Sequence, residues 1–355
     1  MSNTLFSLST SAASITNLDT SQSKLLVMPL QDYKLLDIEG PDAEKLLQGQ
    51  CTCDFRRLNS GDWLRGAHCN PKGRILSSFV AQGLTPQHIR LRVHHSIQQT
   101  ALSALQKYAV FSKVQLSAVE SIQVVGLYSL QLEQILTTAN LEIPAIGKAA
   151  WLENSQLSLL RIDAHRLEMW ITKETSLSSQ WTEVLATAET ATANCWKQLN
   201  IRAGITEIDI ELHEQLLPHE LNYQLIDAVS FRKGCYTGQE IISRTHYKAT
   251  LKKHLYALRL TLASASGNTE GNQGSTPQAI TFGSKLLDQN GSKIGVVIQA
   301  AKVSPSDAGE QTWELLALIR DSDYGHENVT LEPYSNAKTQ WLTLPYAIPK
   351  EHQPN

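Results

Sequence analysis

Between Trp63 and Val119 the sequence contains no aspartate and no glutamate. The same stretch carries Arg65, Lys72, Arg74, Arg90, Arg92, Lys107 and Lys113, a net charge of +7. A second stretch, Arg232 to Arg259, sets seven basic residues against the single acid Glu240. The whole chain has a formal charge of −3, so the remainder carries −16. If the two basic stretches meet in space, they form one positive surface that attracts phosphates, carboxylate tails or RNA. If acidic neighbours in the fold neutralise each stretch, the clustering serves solubility alone.

Other absences narrow the class. No apolar run approaches the ~18 residues of a membrane span. No basic residue precedes Lys24 in a Ser/Thr-rich start, which fits neither a secretory signal nor an Arg-rich transit peptide. Residues 1–23 read as a flexible tail, and the expected location is cytoplasmic. The five cysteines, Cys51, Cys53, Cys69, Cys195 and Cys235, are too few and odd in number for a disulfide framework. A reducing compartment is the simpler reading. With 355 residues, 42% of them hydrophobic and 18% charged, the chain can bury an ordinary core in two or three domains.

Local patterns give mixed elements. Strands are expected at Tyr33–Ile38, Trp63–Asn70, Ile75–Gln82, Ile89–His94, Leu157–Ile162 and Leu167–Ile171. Helices are expected at Asp42–Gln48, Ser96–Tyr108, Leu127–Ala139, Leu177–Ala186 and Asn194–Arg202. Strands and helices without regular βαβ alternation point to an α+β fold. From Leu255 onward the pattern is strands: Leu255–Leu262, Ser284–Leu287, Lys293–Ala301, Trp313–Arg320 and Thr339–Leu344. Asn290-Gly291 marks a hairpin. The Gly/Ser/Asn/Thr-rich segment 263–278 reads as a flexible loop. Residues 255–346 are thus expected to form a small β-barrel domain, followed by a tail at 347–355.

The most informative run is Lys233-Gly234-Cys235-Tyr236-Thr237-Gly238-Gln239-Glu240. Two glycines four apart predict a tight turn into a helix starting near Thr237, with Glu240 as the returning half of a capping box. That would put Cys235 just before a helix amino terminus and beside Lys233 and Arg232, an environment favouring a thiolate. The competing reading is a small buried hydrophobe, as most free cysteines are.

This run resembles the signature of the YgfZ family of folate-binding proteins, relatives of the glycine cleavage aminomethyltransferase. Gly40-Pro41-Asp42-Ala43 through Gln50, Lys72-Gly73-Arg74, Lys107 through Val114, Ala203-Gly204-Ile205 and Leu217 through Asn222 extend the likeness over most of the chain. The resemblance implies three domains in a ring around a central channel that binds folate. Residues 24–254 would then be the folate-binding region of two interleaved α+β domains. It also implies a role in maintaining iron–sulfur enzymes and tRNA modification, with Cys235 as functional thiol beside Lys233; a monomer is expected. Gly234, Tyr236, Gly238, Gln239 and Glu240 complete the motif.

A flat pterin needs aromatic surface and a few placed polar groups, and a glutamate tail needs cations. Trp196 matches a tryptophan implicated in the family's folate binding, and Tyr33 falls where a second is expected. Simple packing is the alternative for both. Two departures from the aminomethyltransferases stand out. Arg202 replaces a pterin-gripping Glu, and the stretch resembling their catalytic region, His94–Leu105, has no acid. Cys51, Cys53 and Cys69 offer three soft ligands where zinc and iron–sulfur sites use four, so packing is the expectation. His94-His95 should alternate faces and not form a metal pair. Three readings remain: a folate-dependent accessory to iron–sulfur enzymes, a folate-dependent one-carbon transferase, and an RNA-binding module.

Overall fold

A computed structural model of the chain describes Leu18 and residues 24–152, 156–172, 174–248, 251–262, 280–303, 311–332, 334 and 337–349. The expected loop 263–278 lies outside these residues. So do the expected tails, apart from residues 347–349 and Leu18, which is buried. The chain divides into two compact units. The first takes Met1–Trp196, Glu207–Pro218 and Ile226–Ser243; the second takes Lys197–Thr206, His219–Leu225 and Arg244–Asn355. No described helix is long and apolar enough to cross a membrane.

The first unit holds two sheets. In one, strands Trp63–Cys69, Ile75–Thr85, His88–His94, Tyr33–Glu39 and Gln115–Val119 lie side by side in that order, all antiparallel. Strand side chains alternate between faces. Leu64, Ala81, Leu91 and Leu36 pair across the sheet on one face. The helix Gln98–Ala109 packs on this sheet, burying Ala101, Leu102 and Leu105. The opposite face carries Arg65, Val80, Arg92 and Leu35 in register.

In the other sheet the order is Glu189–Thr190, Leu26–Pro29, Ile122–Tyr128, Arg166–Thr172, Leu157–Arg161 and Ala149–Leu152. Leu167, Met169 and Ile171 join Val125, Leu127, Leu159 and Trp181 in an apolar cluster. The alternate residues Arg166, Glu168 and Trp170 face the other way, and Gly126 pairs with Glu168. Arg92 reaches Glu168 at 3.1 Å, so the two polar faces meet.

In the second unit, six antiparallel strands form a C-terminal half-barrel in the order Thr330–Leu331, Lys285–Leu287, Lys293–Val303, Gln311–Arg320, Lys253–Leu262 and Lys338–Leu342. Leu258, Leu260, Leu286, Val297, Leu315 and Ala317 fill its core. The expected hairpin turn closes because the Asp288 carboxylate accepts the amides of Asn290 and Ser292, each at 2.8 Å. The α+β class is as expected. One element differs: the expected helix Leu127–Ala139 is a strand to Tyr128 and a helix only at Leu132–Thr138. Val125 and Leu127 sit on the buried sheet face with period two, which outweighs the helical spacing that Leu127 shares with the following turn.

Candidate functional site

The run 233–240 forms a loop clamped to its surroundings through Lys233, Tyr236, Thr237 and Gly238, while Cys235 is not engaged. The buried Lys233 ammonium donates to the carbonyl oxygens of Cys51 at 2.6 Å and Cys53 at 2.8 Å. Tyr236 is buried, with its ring 5.0 Å from that ammonium. The Thr237 amide donates to Gly49 O at 3.2 Å, and its hydroxyl donates to Gln50 Oε1 at 2.8 Å. Gly238 has φ +83°, and an added Cβ would meet Asn70 O at 2.6 Å and Gly73 Cα at 3.2 Å. The loop therefore grips the end of the helix Ala43–Gln50 and the turn at Asn70–Gly73. Cys235 is exposed, and its thiol makes no hydrogen bond among the described residues.

This corrects three local expectations. The helix begins at Gln239, four residues past Cys235, rather than near Thr237. The capping contact is made by Gln239, whose Oε1 accepts the Tyr236 amide at 3.3 Å, while Glu240 is exposed. Lys233 does not turn its charge to the Cys235 thiol, because its ammonium is bound by two carbonyls. Burial lowers the Lys233 pKa from its ordinary value, against the pull of Cys51 and Cys53 nearby.

Cys51, Cys53, Cys69 and Cys195 are all buried. Burial pushes the Cys53 thiol up to about 12 and moves Cys51 and Cys69 upward too, so these are neutral packing groups. Among the described residues, two groups bring possible metal-ligand atoms within 4.8 Å of one another, and neither contains cysteine. One is Asp32, His94 and His95, contrary to the expected alternation. The strand ends at His94 and a 3₁₀ turn begins at His95, which brings the ring centroids to 4.6 Å.

Tyr33 and Trp196 both border the polar layer between the two sheets of the first unit. The Arg92 guanidinium lies 3.8 Å over the Tyr33 ring, and Arg92 also bonds Glu207 at 2.7 Å. Tyr33 donates to Glu207. Burial opposes ionisation of Glu207, but the charge of Arg92 and the hydrogen bonds from Arg92 and Tyr33 outweigh it and hold its pKa below the ordinary value. Trp196 is 2% exposed and packs on Gly126, where a Cβ would meet its ring at 2.6 Å. Arg166 lies 5.6 Å from its centroid. Tyr33, but not Trp196, lines a cleft of about 440 Å³ with Lys34, Gln123 and Glu174. The acid-free stretch around His94 is supplied from elsewhere in the chain: Asp32, Glu207 and Asp209 all act on its imidazole. Glu168 and Glu207 were not singled out from sequence. The alternation of Arg166, Glu168 and Trp170 with apolar neighbours was the visible sign of a second, polar face.

The basic stretches are partly neutralised. Arg90 forms a double hydrogen bond to Asp37 at 2.7 and 2.8 Å, and Arg92 is held by Glu168 and Glu207. In the second unit, Arg202 and Arg259 converge on the fully buried Glu314 at 2.9 and 2.6 Å. Lys72, Lys107 and Lys113 are exposed and form no ion pair among the described residues.

No known family profile matches the chain. The protein named tRNA-modifying protein YgfZ of Shigella boydii is 30% identical over 281 residues, covering 79% of this chain and 82% of that protein. The chain belongs to the YgfZ family. The YgfZ protein of Serratia proteamaculans is 27% identical over 335 residues, covering 94% and 96% of the two chains. That of Klebsiella pneumoniae is 29% identical over 325 residues, covering 91% and 94%. Among solved structures, the glycine cleavage system aminomethyltransferase T from Bartonella henselae has a TM-score of 0.68 at 18% identity, over 94% of this chain and 88% of that one. The YgfZ-family chain thus shares the aminomethyltransferase fold.

Proposed function

We propose that the chain is a folate-binding protein that supports tRNA modification, with Cys235 as its functional thiol. The carrying observation is the clamped loop: Lys233, Tyr236, Thr237 and Gly238 are engaged in holding the frame, and the one thiol of the run is exposed. The naming of the relatives as tRNA-modifying proteins supplies the process. A soft thiol suits sulfur and cluster chemistry, so the partners proposed are iron–sulfur enzymes or their assembly factors.

The folate reading draws on the shared fold, which is an analogy, and on one local fit. Gln123 Oε1, on a residue lining the Tyr33 cleft, is buried and has no hydrogen-bond partner among the described residues. It is an acceptor suited to the donor edge of a pterin, in a cleft of ligand size. Tyr33, Gln123 and Lys34 would hold the folate, and Trp196 would back the polar layer beside them. Bound folate would supply one-carbon carrier chemistry.

The test is a deletion strain complemented with wild type or Cys235→Ser, with modified tRNA nucleosides and iron–sulfur enzyme activity measured. Full rescue by Cys235→Ser would end the thiol claim. Calorimetry with tetrahydrofolate, repeated on Tyr33→Ala and Trp196→Ala, tests the binding claim separately. A one-carbon transferase is the second reading, favoured by the carboxylates gathered around His94. Turnover of a one-carbon folate by the pure protein would select it.

A further inference from the structure

A second cleft in the first unit, about 550 Å³, lies along the helix Gln98–Ala109. Its wall includes Gln99, Thr100, Ser103, Lys107 and Tyr108 from that helix, facing Asn70 and Pro71 of the turn before Gly73. This is the turn on which Gly238 rests, so the cleft and the Cys235 loop share one structural element. His213 completes the wall; its Nδ1–H donates to Leu76 O at 2.8 Å.

The chemistry of this wall is specific. Tyr108 is 41% exposed, a flat ring open to stacking. Thr100, Ser103 and Gln99 offer hydroxyls and an amide. Lys107 and the neighbouring Lys72 are exposed cations without ion pairs among the described residues. Beyond Tyr108 the chain continues into a tip where Val110 is 74% and Phe111 100% exposed, followed by the exposed Lys113. The tip is fixed by the Asp42 carboxylate, which accepts the Lys113 amide at 2.7 Å. The one acid lining the cleft, Glu214, accepts from Asn70 Nδ2 at 2.9 Å. One exposed ring and one unpaired lysine in a polar slot, with Lys72, Phe111 and Lys113 exposed on the adjoining segments, match a nucleic acid strand: bases stack on rings and phosphates meet cations.

We propose that this cleft and the Tyr108–Lys113 tip bind tRNA directly, with an unstacked base against Tyr108 or Phe111 and phosphates on Lys72, Lys107 and Lys113. The inference rests on the tRNA reading above and makes the chain an RNA-contacting protein rather than a remote accessory. Such binding is salt-dependent through the lysines and sequence-tolerant through the rings.

Fluorescence anisotropy with the full chain and an unmodified tRNA transcript tests it. The variants are Lys72→Ala/Lys107→Ala, Tyr108→Ala and Phe111→Ala, with Lys293→Ala on the C-terminal sheet as control and thermal melting to verify folding. Wild type should bind. The double lysine variant should flatten the log-affinity against log-salt slope by about 0.7–0.9 per lysine. Loss of either ring should weaken binding about tenfold, while Lys293→Ala binds as wild type. Ultraviolet crosslinking should map to Tyr108 or Phe111. No binding by wild type, or equal binding by all folded variants, overturns the proposal. Unchanged tRNA affinity combined with failed complementation by the cleft variants would assign the surface to a protein partner and likewise overturn it. None of these outcomes touches the Cys235→Ser rescue or the folate titration, so failure here is distinguishable from failure of the functional reading.

Discussion

A Cβ placed on Gly238 would lie 2.6 Å from the carbonyl oxygen of Asn70, at a backbone φ of +83°. The glycine is therefore required twice, by conformation and by contact, and the contact is with rigid backbone. Gly238→Ala should destabilise the first unit by about 2–3 kcal/mol, seen as a fall of several degrees in melting temperature. The loop should loosen with it, so alkylation of Cys235 should no longer be single-phase. A melting curve identical to wild type would show that the turn shifts freely and that the frame is soft.

In the second unit, Glu314 is fully buried and neutralises Arg202 and Arg259 together. Glu314→Gln keeps the shape and leaves two guanidinium groups without their counter-charge. Both guanidinium groups are about a third exposed, so water recovers part of the loss. The expected cost is about 2–3 kcal/mol in urea denaturation. The pair also shows where the Arg202 charge goes: it is consumed inside the second unit, on Glu314. An Arg202→Gln/Glu314→Gln double variant should recover part of the stability lost in Glu314→Gln, because only Arg259 is then left without its counter-charge.

Much of this was legible in sequence. Tyr33–Glu39 and Trp63–Cys69 are strands as expected, Lys253–Leu262 follows period-two apolar alternation through Tyr256, Leu258, Leu260 and Leu262, and the Asn290-Gly291 hairpin follows turn chemistry. The likeness carried by residues 233–240 pointed to the right family and fold. What was hidden was partnership across distance. Nothing near Lys233 in sequence shows that its ammonium is bound by Cys51 and Cys53, some 180 residues away. Nor does the acid-free stretch around Arg92 show that Glu168 and Glu207 neutralise it. The edge strand Gln115–Val119 has no fully buried residue, so it lacks the pattern that marks a strand.

His68 is buried in the first unit, and neither ring nitrogen has a hydrogen-bond partner among the described residues. Burial lowers its pKa to about 4 from the ordinary 6.5. The unfolded chain therefore binds a proton that the folded chain refuses between these values. Stability is full above pH 6.5 and declines as pH falls toward 4, by about 3 kcal/mol at the limit. His68→Phe, which keeps a ring against Tyr108, should remove this share of the decline. Urea midpoints of the two proteins compared between pH 7.5 and 5 should converge or cross in favour of the variant, above the range where carboxylates protonate. Parallel pH dependences would show that His68 is not buried in neutral form.

Cys235 is the exposed thiol of the five, with the others buried. Iodoacetamide applied to the native protein should therefore modify one cysteine per chain, mapped to Cys235 by mass spectrometry, and the remaining four only after denaturation. Cys235→Ser removes no packing contact and should change stability by less than about 0.5 kcal/mol. Lys233→Met is the contrasting variant. It leaves the carbonyls of Cys51 and Cys53 without their donor in a buried site, at a cost of about 1–3 kcal/mol. The two substitutions separate the roles of neighbouring residues. If Lys233 positions the loop and Cys235 performs the chemistry, Lys233→Met lowers stability and raises the number of thiols accessible to alkylation. Cys235→Ser keeps the stability, takes the count of accessible thiols from one to none, and loses complementation of tRNA modification. Rapid native labelling of Cys51 or Cys53 in wild type would break this division, because it would require the clamp to open without any substitution at all.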